Sequence, residues 1–231
     1  MQQTQSEKSY QAILQQIHTG SLAPGMQLVT RTLAAEIGVS LSPVREAINR
    51  LATEGLIEHT PGAGAVVRQL SLEDLDELYV LREAIESCAA GLAAELMTSR
   101  DLEDLEDLVE AQQDIATDLK GSVRGKATSR QLKNWLSLEE QFHDSVVRLA
   151  RNRLLAKVIR DHRTISRVFE SHALDPSILN AAVAEETVKG KKQLLAAFKK
   201  RNSDKASDLM SSQINRGRRN VMRQLKRQQT S

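Results

Sequence analysis

The stretch from Thr30 to Val67 constrains the fold most, because strong turn signals separate its short periodic segments. A first helix is predicted to take Thr30 as its N-cap and to end at Gly38. An Ile-Gly-Val-Ser turn leads to a second helix, where Ser42 can cap and Pro43 can take the first position. Two extended segments then flank a Pro-Gly-Ala-Gly turn. This order predicts a winged helix-turn-helix, a module that places one helix in a DNA groove.

The second of these helices has one apolar stripe and one polar face. The stripe predicted to face the core contains Val44, Ala47, Ile48 and Leu51. Arg45, Asn49 and Arg50 lie off the stripe and remain available to a partner. The two strands of the hairpin are predicted at 57–60 and 65–68, on either side of the turn.

The run L-A-x-x-x-G-V-S-x-S-P-V-R-E-A-I-x-R-L-x-x-E-G-L-I resembles the winged-helix signature of the GntR family of bacterial transcription regulators. The resemblance implies that a set of side chains contacts the phosphates or base edges of a double-stranded DNA operator: Arg31, Ser40, Ser42 and Arg45. It also implies that Gly64, at the tip of the wing, lies close to the minor groove. The alternative is a helical hairpin and a β-hairpin with a structural role only.

Two departures from the family pattern concern specificity. Leu41 stands where the family usually has an arginine, and Gly62 and Ala63 stand where the wing is usually basic. A leucine cannot make the bidentate contact of arginine to guanine, but it can touch a thymine methyl group. We therefore expect the operator to differ from the common one at the base pair that Leu41 contacts.

Charge is segregated along the 231 residues, which suffice for two domains. Residues 1–70 hold five bases and five acids, so the proposed DNA-binding domain is neutral, which is unusual for such a domain. Residues 71–118 have a net charge of −13, and residues 189–231 have a net charge of +11. The basic C-terminal helix is predicted to pair with the acidic helices, and additional contact with DNA phosphates is the alternative.

Several classes of protein are excluded by what the sequence lacks. A single cysteine, Cys88, excludes an internal disulfide, and its helical apolar surroundings predict a buried structural thiol. No apolar run approaches the roughly 20 residues that a membrane-spanning helix needs, and no signal peptide is recognisable, so a cytoplasmic protein without membrane contact is expected. Nothing frames a nucleophile with a base, so the protein is predicted not to be an enzyme and to need no cofactor.

Beyond residue 70 the strand signals end and helical periodicity takes over. A first domain is predicted at 1–69 and begins with a supporting helix from Ser6 to Thr19. The second domain, 70–231, is predicted to be an antiparallel all-α bundle of about six helices, so the chain is mainly α. The six helices are expected to begin near residues 71, 99, 130, 153, 177 and 203. This half resembles the ligand-sensing FCD domain of FadR-type GntR proteins, and the helix count favours the VanR-like branch.

Many FCD domains bind a metal through an Asp and a His four residues apart and two further His residues. The resemblance places Glu139, His143, Lys191 and Gln213 at these positions. A protonated lysine repels a cation, and a Gln amide is a weak ligand, so we expect no metal here. Helical periodicity also turns these four side chains toward the bundle interior.

Two interpretations of this cluster remain open. Lys191, with Arg82 as a further charge partner, could bind a small organic acid as effector, or Glu139 could simply neutralise Lys191 in a closed polar network. The sequence therefore predicts a ligand-responsive homodimeric DNA-binding regulator, most simply a repressor of a palindromic operator. The alternatives are an effector-independent DNA-binding protein and a metal-responsive regulator.

Overall fold

The computed structural model describes residues 4–122, 125–160 and 175–229, with side chains up to residue 227. These residues form two compact units. The first contains residues 4–75 and residue 160, and the second contains residues 76–122, 125–159 and 175–229. The chain is mainly helical with one small antiparallel sheet, so the predicted fold class is confirmed. The boundary at residues 69 and 70 stays a prediction.

The first unit contains three helices and a hairpin. Its elements are α1 (Gln5–Thr19), α2 (Thr30–Ile37), α3 (Leu41–Thr53), β1 (Ile57–Thr60) and β2 (Gly64–Val67). All four residues of the predicted stripe on α3 are buried. They pack in a core with the inward residues of the other elements: Ile13, Ile17, Leu33, Leu56, Ile57 and Val67. Full burial of one such aliphatic side chain contributes about 2 kcal/mol, so this core alone can hold α3 in place.

The helix starts differ from the predicted caps by one or two residues. Thr4, not Ser6, caps α1, since its hydroxyl accepts the N–H of Glu7. Thr30 is the first residue of α2 and not its cap. Helix α3 begins at Leu41, and Ser42 donates its hydroxyl to a glutamate side chain instead of capping. Pro43 is therefore the third residue of α3 and not, as predicted, the first. It is tolerated there because the N–H groups of the first turn have no acceptor within the helix.

The hairpin pairs β1 with β2 in antiparallel register, with Ile57 opposite Val67 and Thr60 opposite Gly64. The second strand therefore starts one residue earlier than predicted, because Gly64 closes the turn against Thr60. The segment before α2 pairs with β2, since the N–H of Leu28 donates to the carbonyl of Ala65. Residues 27 and 28 thus extend the sheet of the wing.

The second unit is an antiparallel helical bundle. Its helices are α4 (Leu72–Leu96), α5 (Ser99–Gly121), α6 (Ser129–Leu149), α7 (residues 153–160), α8 (Ala181–Lys199) and α9 (Ser203–Gln229). Reciprocal capping boxes at Thr98 and Thr128 begin α5 and α6. Ser71 begins α4 in the same way, through paired bonds with Asp74. The helix expected to run from 153 to 172 lies outside the described residues beyond 160.

Two expectations about the bundle are wrong in detail. A short 3-10 turn at Pro176–Ile178 precedes α8, which starts at Ala181 and not near residue 177, because Asn180 caps it. Small alanines of α4 such as Ala89 and Ala93 form its buried face, and Leu96 at its end is exposed. Cys88 lies on the opposite side of α4 and is exposed, so it is not a core thiol.

Candidate functional site

The beginning of α3 presents the side chains that the sequence assigned to DNA contact. Ser40, Ser42 and Arg45 are exposed, and Arg31 is exposed on α2. Leu41 is 38% exposed, although large aliphatic side chains are usually buried. The stripe on the opposite face of α3 anchors the helix, which leaves this end open for a groove.

The exposed face of α3 also carries an acidic side chain that the sequence analysis did not single out. The hydroxyl of Ser42 donates to Oε1 of Glu46 at 3.2 Å, one helical turn further along. A glutamate on such a face can accept a hydrogen bond from the N4 amino group of cytosine. The spacing of four residues was the sequence signal for this pair.

Arg50, which the sequence also left off the core stripe, is occupied within the first unit. Its guanidinium forms ion pairs with Glu7 at 2.8 Å and Glu54 at 3.2 Å, and it lies 3.6 Å above the ring centroid of Tyr10. The Tyr10 hydroxyl donates to Glu54 at 2.7 Å, and burial together with this carboxylate raises the pKa of Tyr10 to about 12. Arg50 therefore links α1 to the end of α3 and is not a candidate for base contact.

The tip of the wing has no charged side chain and exposes mainly its backbone. Gly62 and Gly64 have φ of +81° and +75°, the left-handed region where a side chain is strained. The Gln27 amide donates to the carbonyl of Ala63 and holds the tip against the preceding edge segment. A tip without large side chains can approach a groove closely, and the contact of Gly64 with the minor groove stays a prediction.

A buried polar cluster lies in the second unit and brings three of the predicted effector residues together. The ammonium of Lys191 is fully buried and lies 2.8 Å from Oε1 of Glu139. It also donates to Oε1 of Gln112 at 2.8 Å, while the Gln112 amide donates to Glu139 at 2.6 Å. The ring of Phe142 lies below the ammonium, with its centroid 4.4 Å away. Lys191 thus has a partner on each side.

The cluster continues from α6 to α4 through His143. Nε2 of His143 lies 3.6 Å from Oε2 of Glu139, and Nδ1 is within 2.6 Å of Oε2 of Glu86. Glu86 is fully buried and accepts a further bond from Nε of Arg82 at 3.0 Å. Arg82, predicted as a direct charge partner of the effector, is therefore joined to the cluster through Glu86.

The two central charges have shifted pKa values with identifiable causes. Burial by itself would raise the pKa of Glu139, but the charge of Lys191 and the nearby His143 outweigh burial and hold it well below its usual value. Burial lowers the pKa of the Lys191 ammonium, and the carboxylate of Glu139 offsets part of that effect. The carboxylate is thus held in its ionised form by its neighbours.

Gln213, the fourth predicted residue, contacts the neighbouring turn of α8. Its amide donates to the carbonyl of Gly190 at 3.1 Å, directly before Lys191 in the chain. Its Oε1 is buried and has no hydrogen-bond partner among the described residues. A surface depression lined by residues of α5 and α8, among them Gln113, Lys192 and Gln193, includes none of the cluster side chains.

Sequence reasoning missed two members of the cluster, Glu86 and Gln112. Both interrupt a buried apolar stripe. Gln112 lies between Val109 and Ala116 on α5, and Glu86 precedes the buried Ala89 and Ala90 on α4. A polar residue at a core position of a helix was the available signal. Their partners could not be read from the chain, because Glu86 is 57 residues from His143 and Gln112 is 79 from Lys191.

A divalent cation does not suit this donor set. The Lys191 ammonium already lies against Glu139, the carboxylate a cation would need. In the described part of the chain, no group of three or more His, Cys, Asp and Glu side chains could hold a metal ion.

Comparison with known proteins gives two adjacent family matches. Residues 5–67 match the model of the "Bacterial regulatory proteins, gntR family", and residues 77–216, more than half of the chain, match the FCD domain. The Nta operon transcriptional regulator of Aminobacter aminovorans is 34% identical over 137 residues, 59% of this chain and 60% of that protein. A probable D-xylose utilization operon transcriptional repressor of Paenarthrobacter nicotinovorans is 34% identical over 148 residues, 63% of this chain and 59% of that protein.

The chain therefore spans about three fifths of the length of these relatives. Among solved structures, E. coli McbR/YncC shares the fold, with a TM-score of 0.72 and 22% identity over 96% of this chain and 99% of that one. None of the helices within the described ranges is long and apolar enough to cross a membrane. The relatives are named as transcriptional regulators and not as enzymes.

Proposed function

Because this chain belongs to the GntR family and pairs a GntR winged helix with an FCD domain, we propose that it is a transcriptional regulator that binds a palindromic operator as a homodimer. The observation that carries this proposal is the exposed start of α3, where Leu41, Ser42 and Arg45 face away from a fully buried stripe. One such helix reads only a few base pairs, so specificity requires two half-sites related by a two-fold axis. We propose that the helical bundle supplies the dimer contact, and that the protein acts as a repressor.

The test begins with selection of an operator from a random-sequence DNA library by the full-length protein. Arg45→Ala should weaken binding to the selected operator by roughly 1–3 kcal/mol, the range for one base contact or tight phosphate contact. Arg50→Ala is the matched control, since Arg50 lies on the same helix but pairs within the protein. Operator affinity that is unchanged in Arg45→Ala, or a protein that is monomeric in solution, would contradict this proposal.

Leu41 offers a sharper test of specificity. Leu41→Arg should shift the selected half-site toward guanine at one position, because arginine binds O6 and N7 of guanine together. The same selection applied to wild type and variant, followed by comparison of base frequencies, measures the shift. Identical half-sites would show that Leu41 does not face a base pair.

For the effector we propose a small organic acid bound at the cluster of Glu139, His143, Lys191 and Gln213, with Arg82 acting through Glu86. A ligand carboxylate would replace Glu139 beside the Lys191 ammonium. The buried Oε1 of Gln213, without a partner among the described residues, could accept a hydrogen bond from the same ligand. Such a ligand regulates only if it binds one arrangement of the protein more tightly than another.

One observation favours a second candidate, an effector-independent regulator: Lys191 and Glu139 already satisfy each other. A thermal-shift screen of small carboxylates distinguishes the two. An effector should raise the melting temperature of the wild type and of Lys192→Met, the exposed neighbouring lysine, but not that of Lys191→Met. Equal stabilisation of all three proteins would show that the carboxylate binds elsewhere and would contradict this site. Stabilisation of none of them across the screen would favour the effector-independent regulator.

A further inference from the structure

The C-terminal helix α9 runs antiparallel to α4 in a constant register. Three hydrogen bonds define it: Ser203 to the carbonyl of Gly91 at 3.1 Å, Ser211 to Glu83 at 2.7 Å, and Arg218 to Asp76 at 2.6 Å. The number of residues between successive partners is the same on both helices, and α4 runs in the opposite direction. Extended by four residues, the same register brings α9 level with the first residue of α4 near Met222.

Helix α9 therefore continues beyond the start of its partner helix. Residues 223–229 add about 10 Å of helix at 1.5 Å per residue. This is not a detached tail, because Val221 and Leu225 are buried and the Gln224 amide donates to the carbonyl of Asp175. The bundle thus holds a projecting helical end in a fixed direction, and we call residues 219–229 the α9 arm.

The α9 arm carries exposed cations and no acid. Its basic residues, Arg219, Arg223, Lys226 and Arg227, are all exposed. Before the arm, the arginines of α9 are paired within the protein: Arg216 with Glu186 at 3.3 Å and Arg218 with Asp76 at 2.5 Å. The side chains of Arg219 and Arg223, one turn apart on one face, have no ion pair or hydrogen bond with any other side chain of the described ranges. The expected pairing of the basic helix with the acidic segment thus covers only part of it.

The chain itself connects this end of the bundle to the winged helix. Helix α4 begins at Leu72, and β2 ends at Val67, so only four residues separate them. The α9 arm is accordingly level with the end of α4 at which the chain enters the bundle. Residues 1–70 are neutral overall and the wing tip lacks a basic side chain, so the winged helix supplies few phosphate contacts of its own.

We propose that the α9 arm is a second, sequence-independent DNA contact, in which Arg219 and Arg223 bind backbone phosphates of the DNA. This proposal rests on the proposed function, because it needs DNA already held by the winged helix. In most DNA-binding proteins the domain that contacts the bases also makes the phosphate contacts that provide sequence-independent affinity. Here the α9 arm would provide such contacts for a neutral winged helix.

The experiment compares two full-length double variants that remove the same charge. Arg219→Gln/Arg223→Gln removes the two arginines of the arm, and Lys200→Gln/Lys205→Gln removes two exposed lysines near the other end of α9. The affinity for a mixed-sequence 30-base-pair duplex and for the selected operator is measured from low to moderate salt. Unchanged circular dichroism and melting temperature establish that both variants are folded.

The arm variant should reduce the steepness of the salt dependence of log K by about 2, since each lost phosphate contact reduces it by about 1. The reduction should be equal on both duplexes, and the lysine variant should match the wild type. A folded arm variant with the salt dependence of the wild type would overturn the inference, as would a loss confined to the operator, which would indicate base reading. Failure of the proposed function is distinct, because selection from the random library would then yield no enriched sequence even for the wild type.

Discussion

At the scale of single residues, Lys191 is the clearest case of a side chain whose role depends on its partners. It is fully buried, and an unpaired ammonium in such a place is strongly destabilising. Glu139 and Gln112 remove that penalty at 2.8 Å each. The pair therefore contributes to specificity of packing more than to net stability, since a well-packed apolar pair would be comparably stable.

Glu139→Gln should destabilise the protein by about 3 kcal/mol at neutral pH, because it leaves the buried Lys191 charge unpaired. Lys191→Met combined with Glu139→Leu should restore most of that loss. Chemical denaturation measures both, with Glu110→Gln on the exposed face of α5 as the control. A single variant as stable as the control would show that Lys191 is neutral or solvated in the folded protein.

The same residue predicts a pH dependence. The folded pKa of Glu139 lies below its ordinary value of 4.5, so its contribution to stability is fully present above that value and is lost as pH falls through the lower folded pKa. The wild type should therefore lose stability more steeply than Glu139→Gln below about pH 4.5. Parallel curves of unfolding free energy against pH between 6 and 3 would contradict this assignment.

At the scale of elements, the turn between α2 and α3 sets where the recognition helix starts. Gly38 ends α2 with φ of +73°, and its N–H donates to the carbonyl of Ala34. Gly38→Ala should destabilise the first unit by about 1 kcal/mol, because an L-residue is strained in this conformation. A Cβ there would meet nothing within 4 Å, so backbone strain is the sole expected cause.

Gly121 is the matched control, since a Cβ there also meets nothing within 4 Å but the backbone is helical. Gly121→Ala should be neutral or slightly stabilising. Thermal unfolding gives the totals, and hydrogen exchange of α2 and α3 localises the effect. Equal effects of the two substitutions would exclude the backbone of Gly38 as the cause.

At the scale of the whole molecule, charge segregation serves two different purposes. Some of the basic segment pairs with the acidic one, as Lys199 does with Glu106 at 2.6 Å and Arg218 with Asp76. Such exposed pairs contribute little each, although together they favour one arrangement of helices. Arg219 and Arg223, beyond Arg218, are placed for a partner that carries its own negative charge.

The sequence alone determined the order of elements, the recognition helix and the extent of most bundle helices. These follow from local causes: the period of apolar residues, and turn or cap chemistry within a few positions. Its errors at helix starts were also local, at caps such as Ser42, where several first-turn positions are nearly equal in energy.

Only the tertiary structure decided which polar groups meet. Periodicity correctly turned Glu139, His143 and Lys191 inward, but it could not show that Glu86 and Gln112 would close the cluster around them. It likewise could not show that Cys88 faces outward. Contacts between helices far apart in the chain depend on how each helix is rotated against its neighbours. That rotation is set by the packing of the whole bundle, here by the small alanines of α4, and no local stretch of sequence specifies it.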